Sequence, residues 1–285
     1  MEIKLLNKYN LVVPSVSGME YFNENLYFIS DNSNVVSKCT LQGELIEILG
    51  SESLEFEIVA KKDKADSEAA TLLTLNSEEH LLIIGSGSTL ENRNQAKLFS
   101  LTNEKQTSFD LLPFYEKCRS ELSISQEDWN IEALACFDSK LFFFNRGTNT
   151  LIEVNQNEFL SFLTNPKSNI FLRSIQLEIG KLDGISLGIS GVTTDSLGNF
   201  YFTASAEDTS DWYNDGKIIG SAIGSFHISQ LEENLVLTPT PFATDGKLIS
   251  TKLEAICKVS ENHFFVASDN DGEASELFEL EIKFN

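Results

Sequence analysis

A hairpin pattern that repeats along the chain limits the fold more than any other feature of the sequence. Each unit has a short apolar strand, a polar turn and a second strand rich in aromatic or β-branched residues. Four units share a glutamate in the first strand, and a fifth has glycine there; the aligned positions are Glu20, Glu68, Glu132, Gly191 and Glu254. Repetition at tens of residues predicts a propeller or a solenoid rather than a single layered core.

The spacing of the units predicts one four-stranded blade for each. The aligned positions are 48, 64, 59 and 63 residues apart, and 51 residues lead from the last, through the chain ends, to the first. Two further strands are predicted in each of four units, at 35–40 and 44–49, 96–101 and 106–112, 151–154 and 170–179, and 224–228 and 235–239. The last unit has only 276–282, so we expect 3–9 to supply its fourth strand and close the ring.

The sequence therefore predicts an all-β protein: a single β-propeller domain over 1–285, with five blades and paired N- and C-terminal strands. A count of six blades is the alternative, because a degenerate blade could lie within 61–68 or 114–130. Short helices are expected near 114–122 and 157–164. One domain of 285 residues is normal for an all-β ring, and 21 phenylalanines suit packing between blade faces.

Charge and targeting signals exclude several classes of function. The net charge of −22 argues against nucleic acid and anionic membranes as partners, since both require a basic surface. Solubility is the simpler reason for this acidity. The sequence has no signal-peptide pattern, no apolar run of about 18 residues and no CxxC pair among its four cysteines. It predicts a cytoplasmic protein with reduced thiols and no membrane insertion.

Two short motifs resemble known functional sequences, a nucleophile elbow and a calcium-binding loop. Residues 184–188 match G-x-S-x-G, but a nucleophile elbow needs a helix after the serine and a strand is predicted there. Residues 269–272 (DNDG) do not fit an EF-hand, which requires acids at positions held here by Ala267 and Phe278. A Ca²⁺ site made by Glu254, Asp269 and Asp271 is one reading of this loop, and an Asx-rich turn is the other.

Charged residues follow or precede the hairpin strands at equivalent places in several units. A propeller brings such strand ends together at its central channel, so we expect them to line one channel mouth. The predicted ligand-binding residues are Glu20, Asp31, Glu68, Arg93, Glu132, Arg146, Glu207, Asp208 and Asp215. The alternative is that Arg93 and Arg146 only neutralise Glu68, Glu132 or Glu207 inside a closed polar funnel.

Several short motifs around these residues carry a resemblance to a known family. They are the lysines at 61–62 before the DSEA of 66–69, GSGS (85–88) with Arg93, NIE (130–132) with NRG (145–147), AEDTSDWYNDG (206–216), and KLE (252–254) with SDND (268–271). Over nearly its whole length the chain resembles an uncharacterised bacterial family of β-propeller proteins of unknown function, distantly similar to phytase-like propellers. The resemblance implies the fold more than any activity. Phytase-like propellers hydrolyse phosphate esters in an acidic channel lined with calcium, but this sequence shows no clustered lysine-rich phosphate site.

Two functions from different classes follow. The first is binding of a small polar ligand, with or without Ca²⁺, or of a partner protein at the channel mouth. The alternative is a metal-dependent hydrolase of an ester or phosphoester, in which carboxylates hold the cation and Arg93 and Arg146 neutralise developing charge. Binding is preferred, because the sequence offers no pairing of a nucleophile with a base. No cofactor other than Ca²⁺ is suggested.

Overall fold

The computed structural model describes residues 1–33, 35–60, 62–208, 216–244, 246–270 and 274–284. In chain order the strands of the first half are β1 (Glu2–Pro14), β2 (Val16–Phe22), β3 (Asn25–Ser30), β4 (Val36–Cys39), β5 (Leu45–Ile48), β6 (Ser67–Leu75), β7 (Glu78–Gly85), β8 (Gln95–Ser100), β9 (Gln106–Asp110), β10 (Ile131–Phe137), β11 (Lys140–Asn145) and β12 (Thr150–Asn155). Those of the second half are β13 (Arg173–Glu178), β14 (Lys181–Leu182), β15 (Ile185–Thr194), β16 (Asn199–Asp208), β17 (Lys217–His227), β18 (Asn234–Val236), β19 (Thr240–Pro241), β20 (Ala243–Thr244), β21 (Lys247–Leu248), β22 (Lys252–Lys258), β23 (His263–Asp269) and β24 (Ala274–Lys283).

These strands form five blades, which confirms the five-bladed propeller. The blades are β2–β5, β6–β9, β10–β13 with β18, β14–β17 with β19, and β22–β24 with β1; β20 and β21 form a separate small hairpin. The inner strands β2, β6, β10, β15 and β22 contact one another in a ring around the central channel. Strand β1 pairs antiparallel with β24 from Glu2↔Lys283 to Pro14↔Ala274, so the two chain ends close the ring as expected.

Tight turns connect each inner strand to the next strand of its blade. Asn23 and Glu24 have φ of 48° and 63°, and Asn76 and Ser77 have φ of 52° and 65°. Positive φ at both central residues is the type I′ geometry that matches the twist of a hairpin. These turns lie at the end of the channel opposite to the starts of the inner strands.

The hydrophobic core lies between blades. Because side chains alternate along a strand, Phe142 and Phe144 of β11 pack toward the fourth blade, where Phe142 meets Phe200 edge to face at 4.9 Å. The intervening Phe143 packs toward the second blade. Every pair of adjacent blades encloses a cluster of this kind.

Two helices cover the outer part of the second and third blades, as expected. Helix α1 (Leu112–Leu122) ends at Ser123 in the left-handed conformation, and α2 (Gln156–Thr164) is capped by the Asn155 side chain, which accepts from the N–H groups of Asn157 and Glu158. None of the helices in the described part of the chain has the length and apolar character needed to cross a membrane.

The fourth blade differs from its predicted arrangement. The strand expected at 235–239 was assigned to this blade, but β18 pairs parallel with β13 of the third blade. Leu235 and Leu237 bury their side chains between the third and fourth blades, which holds the segment there. Strand β19 takes the outer place in the fourth blade, and β17 starts at Lys217 instead of 224.

Candidate functional site at the channel mouth

Each inner strand has a β-bulge, which lies at the second or third residue of β2, β6, β10 and β22 and at the sixth residue of β15. The extra residues, which have no opposite partner on the neighbouring strand, are Ser17, Glu68, Glu132, Ser190 and Glu254. A bulge redirects its side chain out of the regular alternation. Four of these residues line one small cavity at the centre of the ring, and the fifth bulge borders it through Gly191. We call this end of the channel the channel mouth.

The structure corrects the alignment of two repeat units. In the first unit the bulge is at Ser17, three residues before Glu20, because β2 pairs as Val16↔Ser30 and Gly18↔Ile29. In the fourth unit it is at Ser190, one residue before the aligned glycine. The residues at the five equivalent bulges are therefore three glutamates and two serines.

Glu20 lies three residues farther along β2 than the bulge, and its carboxyl is buried against Leu72 of β6. The equivalent residues, three positions after the bulge, are Thr71, Ala135, Thr193 and Cys257. Burial raises the pKa of the Glu20 carboxyl to about 8, opposed by a hydrogen bond that the carboxyl accepts from the Leu72 N–H. The structure thus separates Glu20 from the other predicted mouth residues.

The two bulge serines bind the neighbouring inner strand. Ser17 Oγ donates to the carbonyl of Ser67 at 2.5 Å, and Ser190 Oγ donates to the carbonyl of Leu253 at 2.5 Å. Each acceptor is the residue directly before a bulge glutamate. A neutral hydroxyl is therefore sufficient to fill a bulge position and satisfy the strand beside it.

On one side of the mouth the loops of the first two blades form a charged cluster. This Asp66 cluster contains Asp31, Lys64, Asp66, Glu68 and Arg93. Lys64 Nζ contacts Asp31 Oδ2 and lies 2.8 Å from Asp66 Oδ1, while Arg93 Nη1 lies 2.7 Å from Asp66 Oδ2. Ser88 Oγ accepts a second bond from Arg93 at 2.8 Å. Asp66 is thus held between two cations.

The carboxyl groups of the Asp66 cluster differ in their pKa. Burial opposes ionisation of Asp66, but Lys64 and Arg93 outweigh it and lower its pKa. Burial raises the pKa of Glu68 well above its usual value, and the charges of Asp66 and Glu132 raise it further. The cluster therefore has three carboxyl groups for two cations, and Glu68 is the carboxyl that most strongly favours its protonated form.

On the other side of the mouth lies a second charged cluster. This Arg146 cluster contains Glu132, Arg146, Glu207, Lys252 and Glu254. Arg146 lies 3.4 Å from Glu132, 3.4 Å from Glu207 and 3.8 Å from Glu254. Lys252 Nζ lies 3.2 Å from Glu254 Oε1. The stem of Arg146 crosses Gly188, where a Cβ would lie 2.6 Å from Arg146 Cγ, so only glycine leaves it this path.

The Arg146 cluster is almost completely removed from solvent. The side chains of Arg146 and Glu254 are each 3% exposed. Burial disfavours the Arg146 charge, but the surrounding glutamates outweigh it and raise the pKa of the guanidinium. Burial raises the pKa of Glu254 to about 8, although Lys252 opposes the shift.

The channel below the clusters is nearly filled. The cavity between the inner strands has a volume of about 10 Å³, which is room for about one water molecule. A ligand larger than water can therefore contact these charged groups only from the mouth.

The structure gathers most, but not all, of the predicted ligand-binding residues. Asp31, Glu68, Arg93, Glu132, Arg146 and Glu207 belong to the two clusters. Asp208 lies at the exposed end of β16, opposite Lys217. The predicted Asp215 lies outside the described residues.

The predicted Ca²⁺ residues are placed differently from the expectation. Glu254 lies beside Lys252 and Arg146, both cations. Asp269 ends β23 and adds negative charge near Lys252 and Glu254. Asp271 lies outside the described residues. Instead, Asp31, Asp66 and Glu68 bring one carboxylate oxygen each to within 4.8 Å of one another.

The prediction that Arg93 and Arg146 neutralise acids is confirmed in part. Arg146 pairs with Glu132 and Glu207 as expected, and also with Glu254. Arg93 pairs with Asp66, a residue that was not among the predicted partners.

Several residues of the clusters were missing from the sequence-based set. Asp66, Asn130 and Lys252 each stand two positions before a bulge glutamate, and Asn130 Nδ2 donates to Glu132 Oε1 at 2.6 Å. A polar residue two positions before the glutamate is a signal that could have identified them. Lys64 has no such signal, because its contact with Asp31 joins two different blades.

Comparison with solved structures agrees with the propeller. The glutaminyl cyclase of Myxococcus xanthus is 12% identical, with a TM-score of 0.53, and the alignment covers 99% of this chain and 97% of that one. A protein of unknown function from Bacteroides thetaiotaomicron is 11% identical, with a TM-score of 0.48 and coverage of 98% and 76%. At these identities the likeness to the cyclase shows the fold alone.

Comparison by sequence identifies a family. No curated protein matches the chain. A family model described as "Family of unknown function (DUF6929)" matches residues 12–282, which is nearly the whole chain. The chain belongs to this family of unknown function.

Proposed function

We propose that the protein binds a small polar ligand at the channel mouth. The observation that supports this is the convergence of buried, charged side chains from the five blades above a channel that is otherwise filled. Propellers commonly use this end of the ring for ligands, since loops from all blades meet there.

The charges of the mouth are not required to close the ring. Taking ionised groups out of water costs several kcal/mol for each ion, and ion pairing often does not recover that cost. Ser17 and Ser190 occupy equivalent bulges with neutral hydroxyls that satisfy the next strand. Glutamates at the other three bulges therefore favour a role in binding over a role in folding alone.

A panel of small compounds tests this proposal by thermal unfolding. A compound that binds only the folded protein must raise its unfolding temperature. We expect at least one class among amines, amino acids, sugars, carboxylates and phosphates to do so in the natural protein. Glu68→Gln should remove the rise, because glutamine has the same shape but cannot ionise when a ligand binds.

The matched control is Glu24→Gln, which makes the same change in charge in an exposed turn at the opposite end of the channel. It should keep the full rise. A rise that survives in Glu68→Gln, or the failure of every class to stabilise the natural protein, would contradict binding at the mouth.

A metal-dependent hydrolase is the second candidate. The triad of Asp31, Asp66 and Glu68 favours it, since hard cations require several convergent oxygens. However, Lys64 Nζ already lies between Asp31 and Asp66, in the position of a cation.

Unfolding of the metal-stripped protein with Ca²⁺, and with Mg²⁺ as control, separates the two candidates. We expect no Ca²⁺-specific rise in the unfolding temperature of the natural protein, because the Lys64 ammonium repels a second cation. Lys64→Met should acquire such a rise. A Ca²⁺-specific rise in the natural protein that Asp66→Asn removes would instead support the hydrolase and justify assays with phosphoesters.

A further inference from the structure

We infer that the ligand of the channel mouth carries a cationic group with several N–H donors, such as a primary ammonium or a guanidinium. This inference rests on the proposed binding function and specifies the class of ligand. It follows from two independent features of the two clusters, their balance of charge and the hydrogen-bonding groups that are left without partners.

Carboxyl groups outnumber cationic side chains in the described part of the mouth. The two clusters together hold six carboxyl groups against four cations; the carboxyls are Asp31, Asp66, Glu68, Glu132, Glu207 and Glu254, and the cations are Lys64, Arg93, Arg146 and Lys252. Asp269 adds negative charge beside Lys252. When the carboxyls are ionised, an incoming positive charge is attracted and an anion is repelled.

The second feature is a buried carboxylate oxygen that accepts no hydrogen bond. Glu254 is 3% exposed and lines the central cavity, yet its Oε1 has no hydrogen-bond partner among the described residues. Lys252 Nζ and Arg146 Nη1 are near it, at 3.2 Å and 3.8 Å, as ion pairs only. A buried acceptor without a donor costs free energy, which a ligand N–H would recover.

The opposite side of the mouth has the same deficit. Asp31 Oδ1 is also buried with no hydrogen-bond partner in the described part of the chain, while its Oδ2 contacts Lys64. On the side of the Arg146 cluster, Thr251 Oγ1, next to Lys252, likewise has no partner among the residues that the structure describes, and it can donate or accept. An ionised carboxylate can only accept hydrogen bonds, so a ligand that meets both of these carboxyl groups in their ionised form must supply donors.

An organic cation fits this arrangement better than a bare metal ion. Each cluster already contains a lysine ammonium among its carboxylates, so a metal would have to lie close to another cation. An ammonium or guanidinium group spreads its charge over several N–H bonds and can satisfy single oxygens that are not arranged around one point.

Three compounds of the same length but different charge test the inference. They are pentane-1,5-diamine, pentane-1,5-diol and glutarate, each at millimolar concentration and matched ionic strength, with the unfolding temperature as the readout. We expect the diamine alone to raise it. The affinity for the diamine, measured by calorimetry, should fall about tenfold or more in Glu254→Gln and in Asp31→Asn, since each loses a charge-assisted hydrogen bond.

The matched control is Glu261→Gln, which makes the same change in charge at an exposed turn of the opposite face. It should bind the diamine as the natural protein does, which separates the mouth from general attraction to an acidic protein. The inference is overturned if glutarate or the diol stabilises as much as the diamine, if no compound stabilises, or if the two mouth variants behave like Glu261→Gln.

These outcomes also separate the inference from the function on which it rests. If glutarate or the diol stabilises the natural protein but not Glu68→Gln, the mouth remains a binding site and only the cationic class of ligand is rejected. If the diamine still stabilises Glu68→Gln, Glu254→Gln and Asp31→Asn, it binds elsewhere. Both the cationic ligand class and binding at the mouth are then rejected.

Discussion

Replacing Glu20 with Gln should stabilise the protein by as much as about 5 kcal/mol above about pH 8 and should have little effect below about pH 4. Burial raises the pKa of this carboxyl from 4.5 to about 8. At high pH the natural protein must either bury an ionised carboxylate or keep a proton on Glu20 although the solution favours its release. The glutamine is neutral at every pH, and its carbonyl oxygen can still accept from the Leu72 N–H.

The sign of the pH effect on stability follows from proton binding to Glu20. Between about pH 4.5 and 8 the folded protein holds a proton on Glu20 that the unfolded chain releases, so stability falls as pH rises through this range. Below the range both states are protonated, and the difference between the natural protein and Glu20→Gln vanishes. The thiols of the half-buried Cys136 and the buried Cys257, on which the Glu20 charge acts, have raised pKa values and stay neutral across this range.

Urea unfolding of both proteins at several pH values measures this effect. The matched control is Glu24→Gln, an exposed turn residue that should change stability by less than about 0.5 kcal/mol at any pH. A Glu20→Gln protein whose stability follows that of the natural protein across the whole pH range would show that Glu20 is solvated.

Replacing Arg146 with Met should destabilise the protein by about 3–5 kcal/mol near neutral pH. The side chain is 3% exposed and is the shared counter-charge of Glu132, Glu207 and Glu254. Methionine keeps an apolar stem over Gly188 but leaves three carboxylates without their guanidinium. Removing one member of a buried ionic group costs far more than removing a surface pair.

Arg173→Met is the matched control for Arg146→Met. Arg173 is 43% exposed and pairs with Glu153 at 3.0 Å, so its loss should cost less than about 1 kcal/mol. Adding Glu132→Gln to Arg146→Met should recover part of the lost stability, because it removes one of the uncompensated charges. Equal small losses for the two arginine variants would show that the Arg146 cluster is solvated.

The blades could be predicted from the sequence because they are built from local patterns. A hairpin needs only two strands with suitable side chains and a turn such as Asn23-Glu24, and all of this lies within a few residues. Closure by the chain ends followed from the missing fourth strand. The place of β18 could not be predicted, because its neighbour β13 lies more than fifty residues earlier and the burial of Leu235 decides the pairing.

The candidate site could be predicted only in outline. Strand ends converge in any propeller, so the charged residues near them were found. The bulge positions were not, because Met19-Glu20-Tyr21 and Ser67-Glu68-Ala69 look alike locally and the pairing register with the next strand decides which residue is extruded. Lys64 was missed because its partner Asp31 belongs to another blade.

A crystal structure of the protein with pentane-1,5-diamine tests the channel-mouth site most directly. Our account predicts an amine nitrogen about 3 Å from Glu254 Oε1, in the space of about one water molecule that this side chain lines. Diamine bound only on the outer blade edges or at the opposite face, or a mouth that stays free of it at saturating concentration, would contradict the account.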